Sequence, residues 1–341
     1  MSTIQLYIPS VTDAARRIVK AYLEGDYDKL QEIRVYLGNN NVAGAIAGTG
    51  SEFHNAAVEL TRSGFYDYAY ALIEIGVQRH PRDTDLLGDL LAYGLHCRSI
   101  SELQQWYDAL SNVNKRFWTW RAYQFSFDFL MAKLPYTDND AELKLLEGEI
   151  EYIINSFKDS FKFLSDKSDC EKAYMMEYEF YSSKGEEIQA EQALIDATSK
   201  LVKCAQCALK YADRCFERGN YAETIKYATI AAHIKEDQPS ISLGYTNYIL
   251  AMSLEQVARH KNALNNANDL GEIYSAYYSA YTYLSSEKGR EHLINSVTHQ
   301  VKVLEFFTGT KSGIDFSKSD FNGTSLLRML QGMSPKQEEI E

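Results

Sequence analysis

The chain has 341 residues, 45% of them hydrophobic, with five prolines, 25 tyrosines and a formal charge of −12 at a pI near 5.2. An acidic balance of this size excludes the basic field that nucleic acid demands, and no run approaches the roughly 18 apolar residues of a membrane span, so neither partner is expected. Five cysteines, an odd number, build no disulfide framework, and the N-terminal MSTIQLYIPSVTDAARR lacks the apolar region of a secretory signal; a cytoplasmic protein is the expectation.

In chain order, the first element is a helix over Val11 to Leu23, whose apolar residues recur with the 3.6-residue period. A glycine- and asparagine-rich break follows at 38–50, GNNNVAGAIAGTG, where Thr49 and Glu52 form a capping box for the next helix. Glu52 to Thr61 and Asp67 to Gln78 are again periodic. Residues 116–129, RFWTWRAYQFSFDF, hold seven aromatics that alternate with polar residues like a half-buried strand. A lone strand among helices would leave two unpaired edges; on a helix the same residues make two apolar faces, so the reading is an interior helix packed front and back. LPYTDND at 134–140 interrupts the chain, with Asp138 or Asp140 capping a helix over Glu142 to Phe157. A polar stretch at 158–170 links two halves. Helices then follow at Leu201 to Phe216, Tyr221 to Ile234, Tyr245 to Val257 and Leu293 to Phe307. From Thr308 the chain reads as a flexible tail with one apolar island, Ser325 to Met333. The expected divisions are 1–134, 135–170, 171–307 and 308–341.

Internal repetition is visible. Gly25-Asp-Tyr27, Gly64-Phe-Tyr66 and Gly219-Asn-Tyr221 each follow an amphipathic helix and precede another, and a degenerate copy begins at Ala258. The glycine ends the first helix in a left-handed conformation, and the tyrosine covers the turn. Phe53, Ala56, Ala57, Leu60, Ala69, Ile73 and Pro81 stand at the spacing of the tetratricopeptide repeat (TPR) signature, and Ala208, Tyr211, Ala212, Cys215, Thr224 and Ala228 make a second, incomplete match. The chain therefore resembles a TPR protein. The resemblance implies an all-α fold of antiparallel helical hairpins stacked as a right-handed superhelix, with irregular repeats and a concave face that binds proteins or peptides.

Motifs for chemistry are weak beside this. The glycines of 44–50 lack the Gly-Lys-Ser/Thr of a phosphate loop. Cys204 and Cys207 have the spacing of a zinc knuckle without a second pair, and with Cys215 they share a helical core face. Asp138 to Glu149 echoes a calcium loop, but Leu143 occupies the place of its glycine. No catalytic residue, cofactor or metal is expected. By the resemblance, the first helix of each hairpin lines the groove, which nominates His54, Asn55 and Arg62, then Lys210, and Tyr245 and Tyr248. The function expected is a non-catalytic adaptor or scaffold holding a protein or peptide in a tyrosine-rich groove. The alternative is a peptide-responsive bacterial regulator that inhibits or activates a partner protein and has no DNA-binding domain. Self-association stays open, and the apolar island docks on the chain's own groove or on a partner.

Overall fold

The computed structural model describes residues 6–39, 46–161, 169–235, 238–286 and 290–316. Part of the glycine-rich break, most of the polar linker and the apolar island lie outside the described residues. Within them the chain is all-α. Fifteen helices follow one another: α1 Val11–Leu23, α2 Tyr27–Leu37, α3 Gly50–Arg62, α4 Tyr66–Arg79, α5 Thr84–Gly94, α6 Ile100–Ser111, α7 Trp120–Lys133, α8 Asp140–Ser160, α9 Cys170–Ser183, α10 Glu187–Lys200, α11 Ala205–Glu217, α12 Tyr221–His233, α13 Ser240–His260, α14 Ala267–Ser285 and α15 Glu291–Thr308. The extended pairing among the described residues is a single parallel bridge, Ser10 to Ala47. Two compact units divide between Ala190 and Glu191, inside α10. The first unit includes α9, which packs on α7 and α8.

In the first unit, α1 packs on α2 and the helices from α3 to α9 pack in sequence, and α1, α3, α5, α7 and α9 also touch one another in turn. Hairpins are thus stacked so that their first helices form one layer. Side-chain size sets the close approaches. Phe53 of α3 is fully buried and fills the space left by Gly76 of α4, where an added Cβ would lie 2.9 Å from its Cγ. The capping box of α3 is present, with Thr49 N–H donating to Glu52 Oε2 at 2.7 Å and Glu52 N–H donating back to Thr49 Oγ1 at 3.3 Å.

The aromatic run resolves as helix. Ala122, Tyr123, Phe127, Phe129 and Leu130 of α7 are buried against α5, α6, α8 and α9, and Tyr123 stacks on Phe157 of α8 with centroids 4.8 Å apart. Trp118 lies just before the helix; its indole N–H donates to Val113 O at 3.1 Å, and the Lys115 ammonium sits 4.0 Å above its ring. Four of the seven rings, Trp118, Tyr123, Phe127 and Phe129, are buried in the core, whereas Phe117 is exposed. The cap of α8 is neither Asp138 nor Asp140 but Asn139 between them, whose Oδ1 accepts from Ala141 N–H at 2.8 Å.

Left-handed residues end hairpin-forming helices as the glycine pattern requires: Gly25, Gly64 and Gly219 have φ of +69°, +81° and +72°. Gly185, at +73°, is a fourth that the pattern omitted. In the degenerate copy the left-handed residue is Asn262, φ +53°, rather than Ala258; asparagine tolerates this region because its short side chain bonds locally.

In the second unit, α11 to α15 pack in sequence, and α11 also meets α13. Gly244 of α13 gives α14 its close approach, since an added Cβ would lie 2.6 Å from Leu284 Cγ. A carboxylate is buried in this core. Glu255 of α13 accepts from Arg259 Nε and Nη2 at 2.9 and 2.6 Å on one oxygen, and from the Tyr277 hydroxyl at 2.9 Å on the other. Both oxygens are satisfied, which makes a charge at that depth tolerable.

Candidate functional site

Residues 234–239 join α12 to α13, and 261–266 join α13 to α14. Connections this short make antiparallel neighbours, so α12 and α14 run the same way on either side of α13. Between them lies an open groove of about 960 Å³. Leu250 and Leu254 of α13, Ile225 of α12 and Ala276 of α14 give it an apolar floor. One end is basic: His233 and Lys235 are exposed there, and His233 Nδ1 donates to Thr229 O at 2.7 Å. Glu272 stands on the α14 wall toward the opposite end. That wall is low, because every fourth residue, Ala267, Gly271, Ser275 and Ser279, is small. At Gly271 an added Cβ would meet nothing within 4 Å. A glycine inside a helix costs about 1 kcal/mol relative to alanine. Here no neighbouring element takes up the space it leaves; the groove does. A smaller cavity of about 260 Å³ adjoins, sharing Ala267 and Gly271 and reaching Thr308 and Thr310 at the exit of α15.

The nominated residues of this unit occupy the other side of α13. At about 100° per residue, Leu250 and Leu254 lie roughly 140° and 180° around the helix from Tyr245. The Tyr245 hydroxyl donates to Asp213 Oδ1 of α11 at 2.5 Å, and burial, with this carboxylate beside it, holds its pKa well above the ordinary tyrosine value. Tyr248 is packed against two apolar clusters, and burial, then the charge of Glu255, raises its pKa too. Lys210 is half-buried on α11. None of the three lines the groove. The repeat frame assigns the ligand face to the first helices of hairpins, whereas this cavity opens between two second helices.

His54, Asn55 and Arg62 are on α3 in the first unit. Asn55 and Arg62 are exposed. His54 Nδ1 lies 2.6 Å from Asp89 Oδ2 of α5, a carboxylate with no exposed surface whose Oδ1 has no hydrogen-bond partner. Burial raises the Asp89 pKa against the opposing effect of His54. The neighbouring Tyr93 hydroxyl is pushed well above its usual value by burial and then by Asp89. His54 therefore ties α3 to α5. Sequence reading missed Asp89, Gly271 and the basic pair His233 and Lys235. The legible signals were an aspartate inside the apolar run LLGDLLAYG and the four-residue rhythm of small residues on α14.

No protein-family model and no curated protein matches this chain. Among the described residues, no helix is long and apolar enough to cross a membrane.

Proposed function

We propose that the chain is a TPR-like repeat protein acting as a non-catalytic adaptor, and that it holds a segment of a protein or peptide partner in the α12–α14 groove. Support for the repeat reading comes from the layered hairpins, from the burial of Phe53, Ala57, Ala69 and Ile73 at the family's packing places, and from Gly185 and Gly219. These two left-handed glycines are 34 residues apart, the period of the family. The groove carries the functional reading: it is open, floored by leucines and charged at its rim, the composition that receives an amphipathic segment. Its chemistry asks for apolar side chains over Leu250 and Leu254 and a negative group at His233 and Lys235. Five cysteines, an odd number, fit a reducing cytoplasmic setting.

The test is Gly271→Trp, which fills the groove from a position whose Cβ direction is open. Native mass spectrometry of protein purified gently from its own host should show partner mass on the wild type and its loss in the variant. Circular dichroism should show the same helix content in both. Equal partner mass on both proteins would place binding elsewhere.

A further inference from the structure

The groove asks for an apolar segment with an acidic end, and the chain contains one. In LLRMLQGM, residues 326–333, Leu326, Leu327, Met329, Leu330 and Met333 fall on one side of a helix drawn at about 100° per residue, with Arg328 and Gln331 opposite. Glu338, Glu339 and Glu341 follow. We infer that residues 325–341 of this chain occupy the α12–α14 groove in the free protein, competing with the external partner. This rests on the groove being the binding site.

Reach permits it. The described chain comes to Phe316, whose ring meets Tyr281 of α14 edge-on at 5.1 Å, so the tail departs from the helix that forms the groove wall. Residues 317–325 span up to about 30 Å when extended, and a helix with its side chains is only about 10–12 Å across. The small cavity at Thr308, Thr310, Ala267 and Gly271 adjoins the groove on the side where α15 ends. Charge sets the direction. Glu272 repels the three glutamates, whereas Lys235 attracts them, so the leucines lie over Leu250 and Leu254 and the acidic end points to the close of α12. From Glu272 to Tyr283 the wall is about 16 Å long, a distance that the nine residues from Leu330 to Glu338 cover as a helix continued into an extended stretch. The absent side chain at Gly271 lets the tail's backbone come close to α14. Tethering sets the consequence: a linker of this length gives an effective concentration in the millimolar range, so a partner must bind well enough to displace the tail.

Zero-length carbodiimide coupling of the full chain tests this, with cross-linked peptides read by mass spectrometry from the monomer. A Lys235 bond to Glu338 or Glu339 is expected. Its yield should fall about tenfold or more in Leu326→Asp/Leu330→Asp, since two buried leucines are lost, and likewise in Gly271→Trp. No such bond, or equal yields in wild type and variants, would overturn the proposal, the latter by showing charge attraction without docking. A bond found only in covalent dimers would also overturn it, by making a second copy the occupant. If the bond is absent while Gly271→Trp still strips the external partner, the tail proposal falls and the groove reading stands. If Gly271→Trp changes neither readout, both fall.

Discussion

Asp89 in the first unit and Glu255 in the second are both carboxylates without appreciable exposure, yet they are held in different ways. Glu255 has donors on both oxygens, two of its bonds coming from one guanidinium. Asp89 has His54 on one oxygen and nothing on the other. A fully ligated buried charge becomes part of what holds its core together, because removing it strands its donors. A half-ligated one stays closer to its neutral form, and burial raises its pKa. Depth alone does not tell whether a buried acid is a support or a strain; the count of donors does.

The comparison breaks most visibly under Glu255→Ala. It leaves the Tyr277 hydroxyl with only the Met252 thioether at 3.1 Å and releases a partly solvated Arg259, at a cost of about 3 kcal/mol in urea unfolding. Asp89→Asn, which keeps the shape and removes the charge, should change stability by less than about 1 kcal/mol. A similar loss from both would end the distinction. The pH response carries the sign. Asp89 has a raised pKa, so its contribution is complete below the ordinary value of 3.8 and is lost as pH rises through the folded value. Melting temperatures of the wild type should therefore decline across that interval relative to Asp89→Asn.

Glycines sharpen the same contrast at a smaller scale. Gly76→Ala forces a methyl to within 2.9 Å of Phe53 and should cost about 1–3 kcal/mol. Gly271→Ala, over empty space, should instead gain up to about 1 kcal/mol from helix propensity. Opposite signs in parallel denaturation curves would confirm that one glycine serves packing and the other an open surface. Smallest of all, Tyr245→Phe removes the bond to Asp213 and should cost about 1 kcal/mol. It should leave partner binding within error, because that hydroxyl faces α11 and not the groove.

Much of the fold was legible in the sequence. Helix periodicity, the capping box at Thr49 and Glu52, and the left-handed Gly25, Gly64 and Gly219 are local matters, determined within a turn or two of chain. The run at 116–129 was legible as helix from Trp120 onward, because its two apolar faces exist only on a helix, whereas Trp118, expected on one of those faces, lies before the helix starts. The candidate site was less so. His54 was nominated as a ligand contact; that it meets the buried Asp89, 35 positions away, no local pattern shows. Tyr245 and Tyr248 were nominated from a repeat frame, and the hydroxyl of one is held by Asp213, which only the meeting of α11 and α13 supplies.

What the sequence by itself determined was the set of helices, most of their ends and the faces that must be buried, since each follows from backbone sterics and periodic burial within one segment. Tertiary structure decided which of two buried acids is fully ligated, and on which side of α13 a groove stays open. Those outcomes depend on distances between helices far apart in the chain, fixed by glycine and side-chain volumes at the contacts, and no local pattern encodes such a distance.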